Sequence, residues 1–139
     1  MSARLVRETG LSDLQLLKMQ GVANERLVIA HAIWLSEHDE KIIQEHGVKI
    51  AHCPSANMKL ASGFCKVPEM LEKGFCISLG ADGAPCNNNL NMLNEMRLAS
   101  LIHKPRCGPK AMRAYQVLEM ATINGAKALG IEKKIGSLE

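Results

Sequence analysis

The chain has 139 residues, enough for one ordinary domain and too few for a complete eight-stranded α/β barrel, which takes about 250. Hydrophobic residues make up 47% and charged residues 22%, the profile of a globular protein with a mainly aliphatic core. One Trp, one Tyr, two Phe and a net charge of +3 spread along the chain offer neither stacking surfaces nor a basic stripe, which argues against nucleic-acid binding.

No apolar run approaches the roughly 18 to 20 residues of a membrane span, and Met1 to Gly10 carries three charges and no apolar leader core. A soluble, cytoplasmic protein that does not engage a membrane is expected. Five scattered cysteines with no Cys-x-x-Cys pair read as reduced thiols, and Cys76, inside an apolar run, reads as a small buried hydrophobe.

A short polar tail comes first. Leu14, Leu16, Leu17 and Met19 then predict a helix over 12–20, stopped at Gly21. Leu27-Val28-Ile29-Ala30 is a short continuous apolar run, expected to be a strand buried on both faces as in a parallel sheet. Ser36 is a cap residue ahead of Glu37, Asp39 and Glu40, which favour a helix N-terminus electrostatically, and a helix over 36–46 is expected before Gly47. The cycle repeats with a strand at Val48-Lys49-Ile50-Ala51, a loop from Cys53 to Lys66, and a helix from Val67 to Lys73 ended by Gly74. Phe75 to Leu79 is the third strand, followed by a loop from Ala81 to Asn88. Leu90, Leu93, Met96, Arg97 and Leu101 mark a longer helix, and two closing helices are expected around Asn124-Gly125.

Alternating strands and helices predict an α/β fold of parallel βαβ units, and no linker or composition break divides residues 1–139, so one domain is expected. Polar residues follow all three apolar runs: His31, His52 and Asp82. Parallel strands end at one edge of the sheet, so the three side chains can converge there. Imidazole with carboxylate suits a divalent metal such as Zn²⁺, although a catalytic zinc takes about three protein ligands plus an open position. Each residue also has a plainer reading. Asp82-Gly83 is an ordinary turn dipeptide, and a histidine after an apolar run is commonly structural. Trp34 serves packing as readily as a pocket, and turn chemistry accounts for Asn87, Asn88 and Asn89. His38, His46 and His103 fall in charge-rich helical surroundings and are expected to face solvent.

The segments Ala30-His31-Ala32-Ile33-Trp34-Leu35, Ala51-His52-Cys53-Pro54-Ser55-Ala56-Asn57-Met58-Lys59-Leu60-Ala61-Ser62-Gly63, Leu79-Gly80-Ala81-Asp82-Gly83, Asn94-Glu95-Met96-Arg97 and Ala121-Thr122-Ile123-Asn124-Gly125-Ala126 together resemble consecutive motifs of the amidohydrolase superfamily. The nearest branch is the chlorohydrolase-like aminohydrolases, which include guanine deaminase and the methylthioadenosine/S-adenosylhomocysteine deaminases.

The resemblance implies a partial (β/α)₈ TIM barrel: strands six to eight, their helices and closing C-terminal helices. It implies a metal-dependent hydrolase acting on C–N bonds of a purine or related heterocycle through activated water, with Zn²⁺ or Fe²⁺ in the intact family protein. Asp82 inherits the roles of metal ligand and proton acceptor, and His31 the polarisation of the group under attack. His52 and Trp34 are placed near the substrate. The family's His-x-His and His-x-x-Glu, which supply the other metal ligands, have no counterpart in this sequence. The expectation is therefore a barrel fragment that binds metal weakly or not at all alone. Its open edges call for a second copy or the missing barrel half; the alternative is a non-catalytic fragment or small α/β module.

Overall fold

The computed structural model describes residues 2–137, so Met1, Leu138 and Glu139, at the limits of the expected domain, lie outside the described residues. Three strands, β1 (Val28–Ala30), β2 (Lys49–His52) and β3 (Ile77–Leu79), form a parallel sheet in the order β1-β2-β3. Val28 pairs with Lys49, Ile50 with Ile77 and His52 with Leu79, so all three strands end at one edge.

The helices are α1 (Ser2–Thr9), α2 (Asp13–Met19), α3 (Glu37–His46), α4 (Pro54–Lys59), α5 (Val67–Glu72), α6 (Ala84–Asn87), α7 (Met92–Ile102), α8 (Lys104–Cys107), α9 (Ala114–Ala121) and α10 (Ile123–Leu129). α3 starts where the acids predict. The Ser36 hydroxyl accepts from the Asp39 amide and the Asp39 carboxylate accepts from the Ser36 amide, a reciprocal cap. Asp39 also accepts from the Ser12 and Ser36 hydroxyls, which ties the start of α2 to that of α3. Gly47 ends α3 at φ +65°, a left-handed turn that costs glycine nothing.

The core lies between one sheet face and the helices. Side chains alternate across a strand, so Ile29, Ile50, His52, Ile77 and Leu79 share a face. Ile50, Ile77 and Leu79 pack there with Ile43, Val67, Met70 and Met120. The other face is open along β1. Val28 and Ala30 are exposed, which corrects the expectation of a strand buried on both faces. A continuous apolar run gives no period, so it cannot tell a covered face from an open one. Cys76 is likewise only half-buried.

Other expectations are corrected too. The N-terminal tail is helical over Ser2–Thr9. The loop expected from Cys53 to Lys66 holds α4, which begins at Pro54 because proline is pre-set for a first helical turn. The loop after β3 holds the single turn of α6, again with Pro85 near its start. The break between the closing helices falls at Thr122, with φ −123° and ψ −95°, and Asn124-Gly125 lies inside α10. His103 is fully buried and His46 partly so, whereas His38 is exposed as expected. His103 closes α7 and turns the chain into α8, a junction that carries its ring inward despite charged neighbours.

Candidate functional site

The residue after β1 and the third residue after β3 both leave their strands in the left-handed region. His31 has φ +68°, Ala32 +48° and Asp82 +61°. Such conformations cost about 1 kcal/mol or more for residues with a Cβ and persist only where surrounding structure enforces them. Here hydrogen bonds do so. The His31 amide donates to Ala51 O of β2 (2.9 Å), and the Asp82 Oδ1 accepts from the Gly83 amide (2.7 Å).

The result is a close pair: His31 Nε2 lies 3.7 Å from Asp82 Oδ2, with both side chains partly solvent-accessible. On its other side His31 Nδ1 is 2.8 Å from Asn57 Oδ1, which fixes the plane of the ring. Asn57 is buried on α4, the helix that follows β2. When Nδ1 carries the proton and donates to Asn57, Nε2 presents its lone pair toward Asp82 and solvent. Asp82 and His31 thus offer an acceptor and an oriented imidazole at the end of the strands, where α/β barrels carry out chemistry.

Cys53 sits beneath this pair. A Cβ on Gly80 would stand 3.2 Å from Cys53 Sγ, so a side chain at the bend into Asp82 would crowd the thiol. Burial, and then the nearby carboxylates of Asp82 and Glu95, push the Cys53 thiol up to about 11, leaving it protonated and inert.

His31 also opens onto a cleft of about 470 Å³ lined by α2, β1, the loop Ala32–Leu35 and α4, with Leu14, Leu17, Ile33 and Leu60 supplying apolar surface. Trp34 lies on its rim, 83% exposed, with its indole N–H donating to Ser62 O (3.1 Å). Another hollow, of about 870 Å³, lies between α10 and the opposite ends of the strands near Arg26, Lys49 and Cys76, away from this chemistry.

The structure thus brings His31 and Asp82 together and sets Trp34 on the adjoining cleft, but places His52 elsewhere. His52 is wholly buried, does not line the cleft, and lies with its ring 5.8 Å from that of His103. No ring nitrogen of either histidine has a hydrogen-bond partner among the described residues. Burial, reinforced by neighbouring positive groups, lowers the His52 pKa to about 3 and that of His103 to about 4, so both are neutral.

One functional neighbour was not singled out as such in the sequence. Glu95 on α7 is 1% exposed; its Oε2 accepts from the Ser55 amide at the start of α4 (3.1 Å) and its Oε1 from Asn87 Nδ2 (2.8 Å). A carboxylate four residues before Ala99, both on the buried side of one helix, was the available signal.

Among the described residues no three His, Cys, Asp or Glu side chains converge in a way that could hold a metal ion. Asp82 and His31 are two donors, fewer than a catalytic zinc requires, so these residues alone do not fit one. No helix among the described residues is long and apolar enough to cross a membrane.

Comparison with known proteins places this geometry in context. The model of the amidohydrolase family matches residues 6–139. The 5'-deoxyadenosine deaminase of Methanosarcina mazei is 48% identical over 124 residues, covering 88% of this chain and 29% of its own length. A 5-methylthioadenosine/S-adenosylhomocysteine deaminase of Pyrococcus furiosus is 42% identical, covering 93% of this chain and 31% of its own. Among solved structures, a zinc-bound adenosine deaminase from Xanthomonas campestris superposes with a TM-score of 0.93 at 37% identity, over 99% of this chain and 32% of that one. Guanine deaminase of E. coli gives 0.83 at 27%, over 91% and 29%. The chain therefore spans about 30% of the length of the relatives it matches.

Proposed function

Because the chain belongs to the amidohydrolase family, we propose that it forms the strand-six to strand-eight part of a metal-dependent aminohydrolase that removes ammonia from a purine nucleoside or related heterocycle. The observation that carries this reading is the His31 Nε2 to Asp82 Oδ2 approach of 3.7 Å at the strand ends. In the proposed reaction water adds to the amidine carbon of the ring and the Asp82 carboxylate takes its proton. His31, held by Asn57 and carrying a proton on Nε2 as well, polarises the group under attack, and the exocyclic nitrogen takes the proton held by Asp82 and leaves as ammonia while the added oxygen becomes the ring carbonyl. Asp82 is proposed as one metal ligand, the others coming from outside these residues. Trp34 and the apolar cleft beside His31 are proposed to bound the substrate, and His52 to support the site from behind.

The test replaces the matching stretch of the Methanosarcina mazei deaminase with this chain and measures ammonia release from 5'-deoxyadenosine. Activity in the chimera is expected, with a loss of about a thousandfold in Asp82→Ala, the scale of a lost general base. An Asp82→Ala chimera that keeps its rate would overturn the assignment. A second reading, a non-catalytic unit that folds with a partner, is favoured by one observation, the two-donor set at the strand ends. A chimera that folds, binds zinc and stays silent would favour it.

A further inference from the structure

Asp82 and His31 reach their 3.7 Å approach from different strands, on two loops that share no backbone hydrogen bond among those described. Something must fix one loop against the other, and two chains of contacts lead to one buried carboxylate. From Asp82, the preceding residue Ala81 offers its carbonyl to Asn87 Nδ2 (2.7 Å), and the same amide group donates to Glu95 Oε1 (2.8 Å). From His31, Nδ1 meets Asn57 Oδ1 on α4, and the start of that helix is pinned where the Ser55 amide donates to Glu95 Oε2 (3.1 Å). Glu95 thus spends one oxygen on each arm. Both bonds are charge-assisted when the carboxylate is ionised, and a carboxylate at 1% exposure is retained only where such donors compensate its desolvation.

We propose that Glu95 is the positioning residue of this site, setting the separation of Asp82 and His31 through Asn87 on one side and α4 on the other. It touches neither the reacting pair nor the cleft. A Gln at this position keeps an oxygen for the Ser55 amide but turns its own N–H₂ toward the Asn87 amide, so only the Asp82 arm is lost. Asn87→Ala severs the same arm from its partly exposed end, which keeps the test independent of any folding defect in the core.

The structural readout uses the 139-residue chain. In Glu95→Gln and in Asn87→Ala, hydrogen exchange at the amides of Cys86, Asn87 and Asn88 is expected to accelerate at least about tenfold, with the sheet amides Lys49 and Ile50 within about twofold of wild type. Uniform acceleration that includes the sheet would make Glu95 a general core support and overturn the proposal, as would no change at α6. The catalytic readout rests on the functional reading above. In the chimera Glu95→Gln should lower kcat by about a hundredfold with KM little changed, the cost of a misplaced pair rather than of weaker binding. A fall confined to KM would overturn the proposal. A chimera inactive even with Glu95 would count against the functional reading, and the exchange result in the chain itself would still decide the role of Glu95.

Discussion

His52 and His103 set the acid limit of this protein. Each is neutral in the folded state, with pKa values of about 3 and about 4, whereas in the unfolded chain both take up a proton near the ordinary imidazole value of 6.5. Between these limits the unfolded state binds more protons, so their contribution is fully present above pH 6.5. It is lost as pH falls toward 4 and then 3, at up to about 1.4 kcal/mol per pH unit for each histidine. Glu69 acts in a lower window, because its hydrogen bond to Arg106 holds the carboxyl at about 2, below its ordinary 4.5. Urea unfolding followed from pH 7 to pH 4.5 therefore reports mainly the histidines. In His103→Phe the slope in that range should fall by about half. Stability at pH 7 should not decrease, since the ring nitrogens being replaced have no partners among the described residues. An unchanged slope would refute the assignment. Sequence reading placed His103 in solvent on the strength of its charge-rich helical surroundings, but burial at a helix junction depends on where the chain turns, which neighbouring charges do not specify.

Among the elements, α3 was the most legible. Its cap, acidic first turn and terminal Gly47 are local signals, and local hydrogen bonds realise them. Ser36→Ala should therefore cost about 1 kcal/mol in chemical unfolding, somewhat more than an isolated cap because Asp39 also loses a hydroxyl donor. A loss below a few tenths would mean that α3 is held by packing alone. α7 was found in the sequence but its facing was not. The apolar residues that marked it include Leu93 and Leu101, 73% and 45% exposed, while Glu95 and Ala99 are buried. The helix turns a polar residue inward because two donors wait there, and pairing with Asn87 of α6 and with the Ser55 amide of α4 leaves no periodic trace. His31 and Asp82 were found for the opposite reason. Each follows an apolar run that becomes a strand, and parallel pairing brings strand ends together whatever the intervening sequence.

For the whole molecule, the sheet leaves β1 and β3 each with one unpaired edge among the described strands, and Val28 and Ala30 exposed on its open face. Unpaired parallel edges with apolar neighbours favour association. Sedimentation of the purified chain should show concentration-dependent species above the monomer; a single compact monomer that also resists proteolysis would contradict this. Elemental analysis after gel filtration should find well below one equivalent of zinc, on the order of a tenth, because two donors hold zinc weakly. Close to one equivalent would mean that a further ligand comes from elsewhere in the protein or from a second copy.

Strand order matches chain order, β1-β2-β3, and this bears on how the protein forms as much as on its final shape. Every strand pairs with the next one along, across α3 in the first crossover and across α4 and α5 in the second, so no pairing waits for distant sequence to arrive. Chain growth alone supplies the order of assembly: each βα unit emerging from a ribosome finds its neighbour already made, and the loop-closure entropy of each step stays small. Asp82 belongs to the third of these units, so the pair it makes with His31 comes into being only when the third strand docks.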